Sequence, residues 1–159
     1  MEERQTANGG QMGLVEILLV EDDLNDVKLI THALQKYHLA NRIYVVRDGA
    51  EALDYLFGTG TYEGRDTSNE PKVILLDLKL PFVDGLGVLQ QIKAHELTRE
   101  IPVVVLTSSR ESPDVQECYR LGVNSYIVKP LDFEQFSSAV TQVGLYWALL
   151  NEPPQVSTP

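Results

Sequence analysis

Five polar residues follow short apolar runs and have side chains suited to a reactive site: Glu21, Asp22, Asp77, Thr107 and Lys129. Three carboxylates that meet in one cleft repel each other unless a positive charge lies among them. A divalent ion with oxygen ligands is the natural neutraliser, and a shallow, hydrated site suits Mg²⁺. Asp77 is then a candidate nucleophile, because an aspartate oxygen can accept a phosphoryl group. Lys129 would offset charge on the phosphoryl oxygens, and Thr107 would hydrogen-bond to one of them.

The apolar runs before these residues have the length and the β-branched content of buried strands. They cover residues 15–20, 43–46, 73–76, 103–106 and 125–128. Strands this apolar must be covered on both faces, so we predict an α/β fold with a doubly wound, five-stranded parallel sheet. Strand order 2-1-3-4-5 makes the first and third strands neighbours at the switch point. Asp22 and Asp77 would then lie side by side.

Helix signals alternate with the strands. Asp48 can cap a second helix, and helical spacing predicts a third over residues 85–97. Ser112 is the expected cap of a fourth helix, with a proline at its first position. A last helix begins after Asp132 and reaches residue 150. The long segment 58–72 is either a linker or a surface for a partner.

The length and the net charge of the chain limit the classes of protein to which it can belong. The chain of 159 residues allows one domain, predicted over 14–150 between flexible tails at 1–13 and 151–159. A net charge of −10 argues against nucleic-acid binding, which needs clustered Lys and Arg. A single cysteine excludes an internal disulfide. We see neither a signal peptide nor an apolar run long enough to span a membrane, so we expect a cytoplasmic protein.

Four motifs occur in order along the chain: LLVEDD at 18–23, LLDLKLPFVDG at 75–85, VVVLTSS at 103–109 and YIVKP at 126–130. Together they resemble the receiver domain of two-component response regulators. The resemblance covers nearly the whole chain and implies the flavodoxin-like receiver fold. It also implies a phosphoacceptor that receives its phosphoryl group from a sensor histidine kinase. Such a protein assists its own phosphorylation and dephosphorylation but is a signalling protein rather than an enzyme.

The resemblance assigns roles to individual residues. It implies that Asp77 is the phosphoacceptor and that Glu21, Asp22 and Asp77 hold Mg²⁺, with the backbone carbonyl of Lys79 as a further ligand. It also implies that Thr107 and Lys129 contact the phosphoryl group. Tyr126, three residues before Lys129, matches the aromatic switch residue of the family.

A narrower resemblance rests on the segment 58–72 and on YWALLNEPP at 146–154. These features look like the single-domain regulators paired with phytochromes. That resemblance implies a phytochrome-type photoreceptor kinase as partner, no output domain, and dimerisation through the last helix.

The same residues also bear on three other functions: an enzyme that forms an aspartyl phosphate, a binding module and a nucleotide-binding protein. Phosphatases and phosphotransferases that form an aspartyl phosphate usually carry a second aspartate two residues after the nucleophile, and here that position is Lys79. A phosphorylation-independent binding module would be expected to have lost part of the reactive set, which is intact. Neither a dinucleotide nor a P-loop motif is present.

Several residues are expected to have only structural roles. Asp23 and Asp26 are interpreted as solvated surface charges. The three histidines lie away from the acidic cluster and are expected on the surface. Cys118, on an amphipathic helix, is interpreted as a small core or boundary residue.

The last helix carries more apolar surface than docking on a sheet requires. One stripe at spacing 3, 4, 3, 4, 3 comprises Phe133, Phe136, Val140, Val143, Trp147 and Leu150. Residues 143–150 carry no charge on any side, which predicts a homodimer through this helix. The alternative is that the tail 151–159 folds back over the excess. Spacing alone leaves open which of Tyr146 and Trp147 faces outward.

Overall fold

The computed structural model describes residues 15–39 and 42–152, so the predicted tail 1–13 and most of 151–159 lie outside the described residues. Its centre is one five-stranded parallel sheet in the order β2-β1-β3-β4-β5, as predicted. The strands are β1 (Ile17–Val20), β2 (Ile43–Val46), β3 (Val73–Leu76), β4 (Val103–Thr107) and β5 (Ser125–Val128). None of the helices described is long and apolar enough to cross a membrane.

The helices alternate with the strands. They are α1 (Leu24–Lys36), α2 (Gly49–Phe57), α3 (Gly85–Ala94), α4 (Ser112–Leu121) and α5 (Phe133–Gly144), and α5 continues as a π-helical segment, Leu145–Leu150. The last helix therefore ends at residue 150, as predicted, and its final six residues form the wider turns of a π-helix. The first strand begins later than predicted, and α3 ends earlier because the backbone of His95 is extended.

Aspartate caps start four of the five α-helices in the described part of the chain. Asp23, Asp48, Asp84 and Asp132 each accept hydrogen bonds from backbone amides of the following turn. The prediction of Ser112 as the cap of α4 is wrong. Glu111 occupies that position without a side-chain hydrogen bond, and the proline in the first turn sets the start of the helix.

The core has two layers because alternate residues of each strand point to opposite faces of the sheet. One layer packs the sheet against α1 and α5 and includes Leu19, Leu75 and Leu34. The other packs it against α2, α3 and α4 and includes Leu18 and Leu76. Cys118 is fully buried in this second layer, as predicted.

The segment 58–72 is anchored to the domain by aromatic contacts. It contains a short 3₁₀ turn, Gly60–Tyr62. The ring of Tyr62 meets those of Tyr44 and Tyr55 edge-to-face, at centroid distances of 6.1 and 5.3 Å. The Arg65 guanidinium lies 4.0 Å from the centre of the Tyr55 ring, and its Nε donates to the Tyr55 carbonyl. The segment is thus packed against the edge of the sheet and is more than a linker.

Candidate functional site

The carboxyl edge of the sheet brings together residues that are far apart in sequence. The Lys129 ammonium lies 2.9 Å from Glu21 Oε1 and 3.2 Å from Asp77 Oδ2. Parallel pairing of Val20 with Leu76 aligns the ends of β1 and β3, which places the residues that follow them side by side. The Lys129 amide donates to the Thr107 carbonyl at 2.7 Å, and this bond joins the ends of β4 and β5.

A third carboxylate contacts the same ammonium, and sequence reasoning missed it. Asp26 Oδ2 lies 2.7 Å from Lys129 Nζ and is largely shielded from solvent, so the interpretation of Asp26 as a solvated charge is wrong. Asp23 is exposed, as expected, but its side chain also caps α1. The cap is the signal that could have revealed the contact, because it places Asp26 on the first helical turn, beside the strand ends.

Burial and charge shift the proton affinities of this cluster. Burial and, to a smaller extent, the neighbouring Asp77 carboxylate raise the pKa of Glu21 to about 7 against the opposing effect of Lys129. Burial by itself lowers the pKa of Lys129, but its hydrogen bonds to Asp26 and Glu21 outweigh that effect and raise the pKa above its ordinary value. Lys129 is therefore held as a cation among acids.

Asp77 is fixed by its own backbone and by close packing. Its amide donates to the Val20 carbonyl at 3.1 Å, and the Leu78 amide donates to Asp77 Oδ1 at 2.7 Å. A Cβ on Gly85 would lie 2.3 Å from the Asp77 carbonyl oxygen, so only glycine permits this approach of α3. The Asp77 carboxylate is thus oriented before any substrate arrives.

Asp22 differs from Glu21 in its surroundings. Glu21 is almost completely buried and held by Lys129, whereas Asp22 is exposed. Asp22 lines a cleft of about 400 Å³ together with Leu78, Lys79, Leu80, Pro81, Asp84, Leu86, Ser109 and Asp114. Of the acids next to the strand ends, it is the one most open to a ligand from solvent.

The donor set suits a hard cation, although the ligands are not gathered around one point. Among the residues described, no three carboxylate, histidine or cysteine side chains form a group that could hold a metal. Lys129 supplies one positive charge to the carboxylates of Glu21, Asp26 and Asp77, so it offsets only part of their negative charge. What fits Mg²⁺ is the oxygen chemistry of Asp22, Glu21 and Asp77, with Asp22 open to the cleft.

Tyr126 contacts the loop after β4. Its hydroxyl donates to the Ser109 carbonyl at 2.9 Å, and its half-buried ring packs against the core layer of α2 to α4. The Ser109 hydroxyl in turn donates to Asp114 Oδ2 at 2.6 Å, a contact that sequence reasoning missed. Thr107 is completely buried at the end of the adjacent strand. The Tyr126 ring is therefore already joined to the loop that begins beside Thr107.

Tyr126→Ala is expected to separate phosphorylation from the response of this loop. Tyr126 touches neither Lys129 nor Asp77 through its hydroxyl, so uptake of a phosphoryl group should stay within about twofold of wild type. Phosphorylation of Asp77 is expected to change amide hydrogen exchange in residues 108–113, and this change should be severalfold smaller in Tyr126→Ala. Tyr126→Phe tests the hydroxyl alone. Equal losses in uptake and in the exchange response would show that Tyr126 is only structural.

Comparison with known proteins decides the family. The model of the response regulator receiver domain matches residues 17–141. The chain belongs to this family. The receiver is 46% identical over 138 residues to a probable methanogenesis regulatory protein, FilR2, of Methanothrix harundinacea, and the match covers 87% of this chain and 86% of the relative.

Solved structures extend the comparison. The bacteriophytochrome response regulator AtBRR is 55% identical, with a TM-score of 0.68 over 88% of this receiver and 99% of that chain. Response regulator Rcp1 of Synechocystis has been solved in a Mn²⁺-bound form. It is 36% identical, with a TM-score of 0.82 over 90% of this receiver and all of that chain. The receiver is thus related to phytochrome-associated regulators, and one of its relatives binds a divalent metal.

Proposed function

We propose that this receiver accepts a phosphoryl group on Asp77 from a phosphohistidine of a sensor histidine kinase. The observation that carries the proposal is the buried contact between Lys129 and Asp77 beside an open acidic cleft. An Asp77 oxygen would attack phosphorus and form the acyl phosphate. The phosphorus–nitrogen bond would break, and the electron pair would return to the imidazole nitrogen of the kinase.

Lys129 and Thr107 would stabilise the transferred group. Lys129 is already directed at Asp77, and its contacts with three carboxylates keep it charged, so it would stabilise phosphoryl oxygens as negative charge builds up there. The Thr107 hydroxyl is a neutral donor at the end of β4 and would bind one of the phosphoryl oxygens. Lys129 would thus act by its charge, and Thr107 by a hydrogen bond that positions the group.

We include Mg²⁺ in the proposal. Asp22, Glu21, Asp77 and the backbone carbonyl of Lys79 would hold the ion, whose chemistry is to neutralise charge on the phosphoryl oxygens. Lys79 lines the same cleft as Asp22, which supports this choice of residues. The Mn²⁺-bound form of Rcp1 supports a divalent ion in this family.

The kinase is proposed to be of the phytochrome type, because AtBRR is a bacteriophytochrome response regulator. Phosphotransfer profiling tests this choice. The receiver is mixed with several autophosphorylated kinases, and the rate of loss of label from each kinase is compared. We expect transfer from a phytochrome-type kinase to be at least about tenfold faster than from unrelated kinases, since specificity is a difference in affinities. A receiver that accepts label from none of them would favour the phosphorylation-independent binding module.

We also propose a homodimer through the last helix. Exposed apolar side chains on this helix support a face that points away from the sheet. Val140 and Val143 pack against the sheet, and Trp147 packs partly against the same layer. Tyr146 is half exposed, so Tyr146 faces outward and Trp147 inward. The predicted inward stripe is wrong at its two ends, because Phe133 and Leu150 are exposed. The exposed apolar residues support the proposal, since a two-fold axis would let them meet their copies.

Sedimentation at micromolar concentration is expected to show about twice the chain mass, as a two-fold dimer requires. Tyr146→Asp should shift the protein to monomer, since it places a charge in the proposed apolar contact. Tyr119→Asp is the matched control, because Tyr119 is equally exposed but lies on α4. Loss of the dimer in both variants would point to an interface that includes α4. A wild-type monomer at high concentration, phosphorylated or not, would contradict the dimer.

A further inference from the structure

Arg47 follows β2 directly and reaches across the strand ends towards the site. Its Nη2 donates to the backbone carbonyl of Asp22 at 3.0 Å. The contact joins residues 25 positions apart and involves the main chain of the acid most open to the cleft. Arg47 belongs to none of the groups assigned above to metal binding or phosphoryl transfer.

The position of the guanidinium is costly. Arg47 Nε is buried and finds no acceptor among the residues that the structure describes. A buried donor without a partner destabilises a fold, so such groups call for an explanation. The hydrogen bond from Arg47 to the Asp22 carbonyl explains the unpaired donor. To make this bond, the guanidinium must lie where Nε has no acceptor.

The junction that carries Arg47 is fixed to its surroundings on two further sides. The Arg47 amide donates to Glu51 Oε1 at 3.1 Å, which ties the residue to the first turn of α2. The Gly49 amide donates to the Pro81 carbonyl at 3.3 Å, in the loop that also carries Lys79. A Cβ on Gly49 would lie 1.8 Å from the Val83 carbonyl oxygen, so glycine is required for this approach. The junction therefore touches both loops that would carry metal ligands.

We propose that Arg47 is a positioning residue for divalent-metal binding, which holds the main chain of Asp22 so that its carboxylate faces the cleft. This inference rests on the proposed function, in which Asp22 is a metal ligand. Arg47 acts through Asp22 and touches neither the metal nor the phosphoryl group.

The direction in which a substitution of Arg47 changes the metal affinity distinguishes this role from a purely electrostatic one. A cation beside a metal site repels the metal, so loss of the Arg47 charge alone would strengthen metal binding. Loss of a positioning hydrogen bond would instead weaken it, because the Asp22 loop would then have to be ordered when the metal binds. Arg47→Met removes charge and donors together while keeping most of the aliphatic stem. The two roles therefore predict opposite changes in affinity.

The test is a titration of the full chain with Mn²⁺ alone, with free Mn²⁺ measured by electron paramagnetic resonance. We expect Arg47→Met to weaken the affinity about threefold to tenfold, the range that one hydrogen bond supplies. Arg47→Lys keeps a charge and a donor, and should recover most of the loss. Arg120→Met is the matched control, because it removes the same charge from the last turn of α4 and should leave the affinity unchanged.

Thermal unfolding without metal shows whether each variant is folded, and Arg47→Gln, which also loses the charge and is too short to keep the bond to Asp22, provides the readout if Arg47→Met does not fold. Stronger or unchanged Mn²⁺ binding by a folded Arg47→Met variant would overturn the positioning role. If only Arg47→Gln folds, weaker Mn²⁺ binding in that variant would support the role, and stronger or unchanged binding would overturn it. A wild-type chain that binds no Mn²⁺ would overturn the proposed metal site and this inference together. Normal binding by wild type with no effect at Arg47 would overturn the inference alone.

Discussion

Replacing Asp77 by asparagine is expected to abolish phosphoryl uptake. With acetyl phosphate and Mg²⁺, the wild-type chain should gain one phosphoryl group by intact mass, and Asp77→Asn should gain none within the same period. The amide fits the same space but is a far weaker nucleophile than the carboxylate, so a loss of at least about a thousandfold in rate is expected. The variant should remain folded, because the oxygen of the introduced amide can still accept from the Leu78 backbone N–H.

Asp84→Asn is the matched control for the acceptor. Asp84 is an exposed carboxylate that lines the cleft, whereas Asp77 is buried. Asparagine serves equally well as the cap of α3. Its phosphoryl uptake should equal that of wild type. Uptake by Asp77→Asn at the wild-type rate would show that the acceptor lies elsewhere, and loss of uptake in Asp84→Asn alone would identify Asp84.

Replacing Asp22 by alanine is expected to lower Mg²⁺ affinity well over tenfold. The variant loses an ionised ligand from a hard-cation site that has few protein ligands. Glu21 and Asp77 cannot compensate fully, because both carboxylates share the Lys129 ammonium. Calorimetric titration with MgCl₂ measures the change, and the Mg²⁺ concentration needed for half-maximal phosphorylation should rise in parallel.

Asp23→Ala separates metal binding from helix capping. Asp23 is the next residue, carries the same charge and caps α1 through the amides of Asn25 and Asp26. Its replacement should cost about 1 kcal/mol of stability through the lost cap. Its Mg²⁺ affinity should fall much less than that of Asp22→Ala. Equal affinities in wild type and Asp22→Ala would remove Asp22 from the metal site.

The fold could be predicted because its signals are local. Each strand is a short apolar run bounded by polar residues, and the caps Asp48 and Asp132 lie where the hydrophobic period changes from strand to helix. Complete burial of β1, β3 and β4 is what demands helices on both faces. Right-handed crossovers then leave few strand orders, and 2-1-3-4-5 is one of them.

The packing of particular side chains was harder to predict. Whether Tyr146 or Trp147 faces outward depends on the rotation of the last helix, which the sheet below it sets. The anchoring of the segment 58–72 depends on ring contacts among Tyr44, Tyr55 and Tyr62, which come from a strand, a helix and a turn. Aromatic packing of this kind has no period in the sequence.

The strand order and the type of residue at each strand end could be derived from the sequence. We could predict that Glu21, Asp77 and Lys129 lie close together, because the carboxyl ends of parallel strands meet at one edge of the sheet. The pattern of ion pairs among those side chains depends on the tertiary fold. Lys129 binds Asp26 from 103 positions away, and Arg47 reaches Asp22 from the neighbouring strand. Such contacts depend on where long side chains reach once the backbone is folded, and the spacing of residues along the chain carries no record of that geometry.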